Sequence, residues 1–157
     1  MSEKTVCFET DCQIRNGLYY LPNTTTPFTG KNLTKYENGQ YKFEGRIKDG
    51  KRDGKWTTWR ENGEKIGERN FKDGKLDGKL TAFFHPNGQI SGEGNYKDNK
   101  MDGKWTSWYE NGQKKSEDYY KDDKLDGKST YWDENGQIDK EKYYNNGECV
   151  SGDCDKL

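Results

Sequence analysis

The chain has 157 residues, with 27 Lys plus Arg against 28 Asp plus Glu and a formal net charge of -1. That balance removes the electrostatic route to nucleic acid or an anionic membrane, which needs a net basic surface or patch, and no stretch reaches the roughly 18 apolar residues of a membrane span. Aromatic residues, at 14%, make up about half of the 27% that is hydrophobic, so the core is built from rings, and the length favours one domain.

Residues 1–27 precede a repeat and carry Cys7 and Cys12. From Phe28 onward, Gly-Lys recurs at Gly30, Gly54, Gly78, Gly103 and Gly127 in steps of 24, 24, 25 and 24 residues, and Asn-Gly at Asn38, Asn62, Asn87, Asn111 and Asn135 in steps of 24, 25, 24 and 24. A second turn signal lies between these marks, at Asp49-Gly50, Asp73-Gly74, Asp98-Asn99, Asp122-Asp123 and Asn146-Gly147. A fixed period of this size means a repeat array. Both dipeptide classes suit the type I′ turn of a two-residue hairpin, so each repeat reads strand, turn, strand, turn. In the second repeat the strands fall at about 54–60 and 65–72. No segment has 3.6-residue apolar spacing, so no helix is expected. The third repeat has one extra residue at Phe83-Phe84-His85-Pro86, which predicts a bulge or a widened turn.

Columns of like residues follow from the period. Six residues after each turn Asn stands a Glu: Glu44, Glu68, Glu93, Glu117 and Glu141. Five residues after each Gly stand Lys35, Trp59, Phe83, Trp108 and Trp132, and a neighbouring column offers Trp56 and Trp105. The expected fold is all-β: an elongated single-layer antiparallel β-meander of about five 24-residue hairpin repeats over 28–147, with an N-terminal cap over 1–27 and a C-terminal tail or cap over 148–157.

The segments GKWTTWRENGEKIGERNFKDGK at 54–75 and GKWTSWYENGQKKSEDYYKDDK at 103–124 resemble the MORN repeat in its shorter bacterial variant. PFTGKNLTKYENGQ at 27–40 is similar to the opening of proteins with this repeat. The resemblance implies a single-layer β-array that acts as a scaffold or interaction surface, and an antitoxin-like role in several bacterial relatives. The chain departs from the Tyr-x-Gly-rich eukaryotic pattern, so lipid binding is not carried over.

Cys149 and Cys154 follow the array. With its ends about 50 Å apart on a ten-strand count, cross-pairing within one chain is excluded and two local disulfides remain, Cys7–Cys12 and Cys149–Cys154. They would secure the caps and imply an oxidising compartment. The N-terminal MSEKTVCFETDC has no apolar leader core, so the expectation is a leader already removed, with Met1 added at the cut end. The alternatives are a cytoplasmic protein with reduced thiols, and a zinc site of all four cysteines, formed by two chains or by a folded-back array.

No catalytic constellation emerges. His85 is the sole His, in a turn without a nucleophile or paired acid beside it. The copies of the Glu column sit beside strand lysines such as Lys42 and Lys65, so each Glu is expected to pair across strands with Lys or to cap turn amides. The acidic turns could recruit calcium, but interleaved Lys51, Lys75, Lys100 and Lys124 oppose it, so no metal and no cofactor are expected. The reading is a non-enzymatic, extracytoplasmic scaffold that presents a charge-balanced aromatic surface to a protein partner, with Trp56, Trp59, Trp105, Trp108 and Trp132 as candidate contacts. The second reading is a carbohydrate or cell-wall module using the same rings. Neither nucleic acid nor membrane insertion is expected, and the oligomeric state stays open.

Overall fold

The computed structural model describes residues 6–8, 11–84 and 87–155. The chain forms two compact units, residues 1–76 and 77–157. The first holds β1 (Val6–Phe8), β2 (Gln13–Arg15), β3 (Leu18–Tyr20), β4 (Gly30–Lys35), β5 (Tyr41–Lys48), β6 (Lys51–Trp59) and β7 (Lys65–Lys72). β8 (Lys75–Phe83) begins at the end of this unit and runs into the second. There follow β9 (Ile90–Lys97), β10 (Lys100–Met101), β11 (Gly103–Trp108), β12 (Lys114–Lys121), β13 (Lys124–Leu125), β14 (Gly127–Trp132), β15 (Ile138–Asn145) and β16 (Glu148–Gly152). No described residue is helical. The expected all-β class holds. The first strand of the second repeat starts at Lys51 rather than at Gly54 as the spacing suggested, because the tight turn at Asp49-Gly50 lets pairing begin at once.

In the first unit the strand order is β1-β4-β5-β6-β7, antiparallel except for β1, which lies parallel to β4, while β2 and β3 form a separate hairpin. In the second unit the order is β8-β9-β11-β12-β14-β15-β16, with β10 against β9 and β13 against β12. Cys7–Cys12 and Cys149–Cys154 are both disulfide-bonded.

The two turn classes differ, contrary to the single type expected. At Asp49-Gly50, Asp73-Gly74, Asp98-Asn99, Asp122-Asp123 and Asn146-Gly147 both residues have positive φ, as a type I′ turn requires. At the Asn-Gly sites only the glycine does: Gly39 has φ 85°, and Asn38 is not left-handed. Gly39 N donates to the Tyr36 carbonyl at 2.9 Å, and Tyr36 N donates to the Gln40 carbonyl at 2.8 Å. This is a three-residue loop, a type I turn closed by a left-handed glycine. The Asn side chain explains the difference, since Asn38 Oδ1 accepts from Gln40 N at 3.0 Å and holds the turn open. Arg60–Glu64, Tyr109–Gln113 and Asp133–Gln137 close in the same way. In the third repeat Phe84 N donates to the Gln89 carbonyl, and Gly88 N reaches back to Phe84, so the extra residue widens the loop. His85 and Pro86, within that loop, lie outside the described residues.

These loops also link successive repeats. Asn38 Nδ2 donates to the Glu61 carbonyl at 2.8 Å, Asn87 Nδ2 to Glu110, and Asn111 Nδ2 to Glu134 at 3.1 Å. The hydroxyls of Tyr36 and Tyr109 donate to the carbonyls of Trp59 and Trp132, at 2.9 and 2.8 Å. The polar chain thus uses its turns, as well as its rings, to fix the stacking.

Candidate functional site

Side chains alternate between the faces of a strand, and on β6 that alternation separates the tryptophans. Trp56 points into the core of the first unit, where it is 4% exposed. Its ring lies about 6 Å from those of Phe43 (6.0 Å) and Phe71 (6.1 Å), and Arg52 stacks over it. Cys7, Phe28 and Ile47 complete this core, with Cys12, Tyr19 and Leu21 packed against it. The N-terminal segment therefore covers this face, which we call the ring face. In the second unit the same column places Trp105 between Tyr96 and Tyr120, with edge contacts at 5.6 and 6.4 Å.

The five tryptophans expected to act together thus fall on two faces. Trp56 is core, and Trp105 occupies the equivalent place. Trp59 in the first unit and Trp108 and Trp132 in the second, three residues further along their strands than the ring-face column, each lie on the face of their own unit opposite the ring face, the charged face, and are half-buried. In the first unit this face forms a cleft of ≈ 630 Å³, whose lining includes Lys31, Glu44, Lys55, Thr57, Trp59, Lys65 and Glu68. In the second unit Lys114, Glu117, Tyr119, Lys128, Thr130, Trp132, Ile138 and Glu141 line one of ≈ 410 Å³.

Each Glu of the column sits on this face beside the lysine that follows the repeat glycine. The pairs are Lys31–Glu44 (2.5 Å), Lys55–Glu68 (3.5 Å), Lys79–Glu93 (2.8 Å), Lys104–Glu117 (3.0 Å) and Lys128–Glu141 (2.6 Å). A bulge between Thr58 and Trp59 places Trp59 opposite Lys65, so that Lys65 and Glu68, three apart, share a face and meet at 2.9 Å. The matching bulge at Ser107 and Trp108 does the same for Lys114 and Glu117, also 2.9 Å apart. Lys114 also stands 5.1 Å from the centre of the Trp132 ring. Hydrogen bonds from Lys65 and Lys114 hold the Glu68 and Glu117 carboxyls below the usual range.

Sequence reasoning missed the floor of this face. Thr57, Thr81, Thr106 and Thr130 are buried and lie opposite Glu68, Glu93, Glu117 and Glu141 in register. Their recurrence three residues after four of the five repeat glycines, with Leu33 in that place after Gly30, was the available signal. Among the described residues, no group of three or more His, Cys, Asp or Glu side chains converges as a metal site would.

The family profile described as the MORN repeat variant matches residues 52–73, 80–98, 101–122 and 125–146. The hairpin beginning at Gly30 lies outside those spans yet carries the same Lys–Glu pair. No curated protein matches the chain.

Proposed function

The chain belongs to the MORN repeat variant family, a non-catalytic repeat type, and from that membership we propose that it is a non-enzymatic scaffold that binds a protein partner through the charged faces of its units. One observation carries this reading: every hairpin sets a lysine and a glutamate on this face, and four of the five add a buried threonine and an aromatic ring, namely Trp59, Phe83, Trp108 and Trp132. In the first unit the N-terminal segment packs on the opposite face. Interfaces draw their energy from a few aromatic and cationic anchors that become fully desolvated on binding within a polar surround, and Trp59 and Trp132, half-buried in the free chain, are placed to serve as such anchors. An antitoxin-like role would be one use of such a surface. The two disulfides support a site of action outside the cytoplasm.

The test is capture of the native partner by wild-type protein and by Trp59→Ala with Trp132→Ala. The reading predicts at least a tenfold loss, the size of one or two anchors. Undiminished capture by a folded double variant overturns it. The same rings also suit sugar faces, and the second reading, a glycan module, is favoured if soluble oligosaccharide displaces the partner.

A further inference from the structure

The residue count on the charged face is nearly balanced, but its layers are not. Glu117 is 20% exposed, whereas its partners Lys104 and Lys114 are 49% and 41% exposed. Glu93 is 32% exposed against 58% for Lys79, and Glu141 35% against 43% for Lys128. The carboxylates lie against the sheet and the ammonium groups stand above them. An approaching ligand meets the cations first, although the chain as a whole carries a net charge of -1.

These cations have a period. Lys79, Lys104 and Lys128 occupy equivalent positions on β8, β11 and β14, one per hairpin. A hairpin spans two strands, so their spacing is about 9.6 Å. Trp108 and Trp132 repeat with the same spacing, four residues further along β11 and β14 than Lys104 and Lys128, Tyr119 stands opposite Lys104 in register, and Tyr119 shares the Trp132 cleft. An extended β-strand laid across this row returns a side chain to one side every ~6.7 Å and falls out of step. A polyproline II helix returns one every third residue, after about 9.3 Å. That helix also docks into aromatic-lined grooves, where its fixed backbone loses little entropy.

Resting on the protein-scaffold reading above, we propose that the charged face of the second unit binds an acidic, proline-rich segment of the partner in the polyproline II conformation. Its acidic residues recur every third position and meet Lys79, Lys104 and Lys128, while its prolines pack against Trp108, Trp132 and Tyr119. The deep glutamates hold the lysines upright and repel a segment placed out of register.

The experiment titrates the full chain with three probes, read by tryptophan fluorescence and calorimetry at low salt. The probes are a peptide of five Glu-Pro-Pro triplets, a scrambled peptide of the same composition, and a uronate oligosaccharide. The triplet peptide is expected to bind roughly tenfold more tightly than the scramble, and to weaken as salt is raised. Lys104→Gln with Lys128→Gln, checked for an unchanged melting profile, is expected to lower triplet affinity at least about fivefold. Equal affinity for the two peptides, tighter binding of the oligosaccharide, or no binding of the triplet peptide overturns the proposal. If the triplet peptide fails while Trp59→Ala with Trp132→Ala still lowers capture of the native partner, only the acidic-segment proposal falls. If that capture is also unchanged, the scaffold reading falls with it.

Discussion

The indole of Trp105 lies across Gly94 on the neighbouring strand, so close that a Cβ on Gly94 would overlap the ring at Cδ2, Cε2 and Nε1. Trp56 covers Gly45 in the same way. Neither glycine has a left-handed backbone, so what excludes a side chain is the ring and not φ. Gly94→Ala and Gly45→Ala should each destabilise their unit by about 2–4 kcal/mol, since the ring must be expelled or the strands parted. Gly92 is an internal control: a Cβ there meets only the Thr106 carbonyl, at an ordinary 3.7 Å. Gly92→Ala should stay within about 0.5 kcal/mol of wild type. Urea titration of the three variants gives the comparison, and a Gly94→Ala protein as stable as Gly92→Ala would refute the packing argument.

Asn111 serves two repeats at once. Its Oδ1 accepts from Gln113 N at 2.9 Å within its own turn, and its Nδ2 donates to the Glu134 carbonyl of the next. Asn111→Asp keeps the acceptor and loses the donor. It should cost about 0.5–1 kcal/mol, the net value of an exposed hydrogen bond. Asn111→Ala loses both and should cost about 1–2 kcal/mol. Thermal melts that rank aspartate equal to alanine would mean the link between repeats contributes nothing.

How much of this was legible in the sequence depended on the kind of feature. Turn dipeptides at fixed spacing exposed the repeat, because Asp49-Gly50 and its counterparts need residues that tolerate left-handed backbone. The same logic misassigned Asn38-Gly39, where the side-chain acceptor on Asn38 stabilises a longer loop that dipeptide identity does not reveal. Grouping Trp56 with Trp59 overlooked strand parity: residues three apart point to opposite faces. Lys65 and Glu68 are also three apart, yet they share a face, because a bulge intervenes on their strand. Bulges depend on pairing between strands and leave no mark in one strand's composition. The partners of the glutamates were obscure for a related reason. Lys31 reaches Glu44 diagonally, in a register where Leu33 stands opposite Glu44.

Acid should weaken the second unit in a defined window. A hydrogen bond from Lys114 lowers the Glu117 carboxyl, aided by Lys104. Its folded-state value lies below the ordinary value of about 4.3, so the folded protein releases this proton more readily than the unfolded chain. The resulting stability is present above the ordinary value and is lost as pH falls through the lowered one. Glu117→Gln should therefore be less stable than wild type at neutral pH and converge with it as pH falls through the lowered value. Equal pH dependence in the two proteins would remove Glu117 from the account.

The alkaline side has its own marker. Burial, with Asp118 beside it, pushes the Tyr131 hydroxyl up to about 12. The unfolded tyrosine ionises near 10, so stability is full below that value and declines as pH rises towards the folded one. In an ultraviolet titration one late-ionising phenol should be seen, and Tyr131→Phe should remove it. If the late step persists in that variant, another tyrosine is its source, and Tyr120, also raised by burial, is the next to test.

Truncating tryptophans on the two faces should separate packing from binding. Trp56 is almost wholly buried, and its Nε1 donates to the Arg46 carbonyl at 3.2 Å. Trp56→Ala should cost about 3–5 kcal/mol, the range for large rings in cores, and leave little of the first unit folded at elevated temperature. Trp132 is half-buried, with Lys114 over its ring and an open cleft beside it. Trp132→Ala should lose much less, about 1 kcal/mol, because part of its area stays in water in the folded state. Partner affinity should reverse this order: Trp132→Ala weakens binding by about 1–2 kcal/mol in folded protein, whereas the conservative Trp56→Phe, which keeps the core filled, leaves it unchanged. Calorimetric melting and binding measured on the same preparations give both numbers. If Trp132→Ala proves as destabilising as Trp56→Ala yet binds normally, the charged-face rings serve only to hold the sheet together.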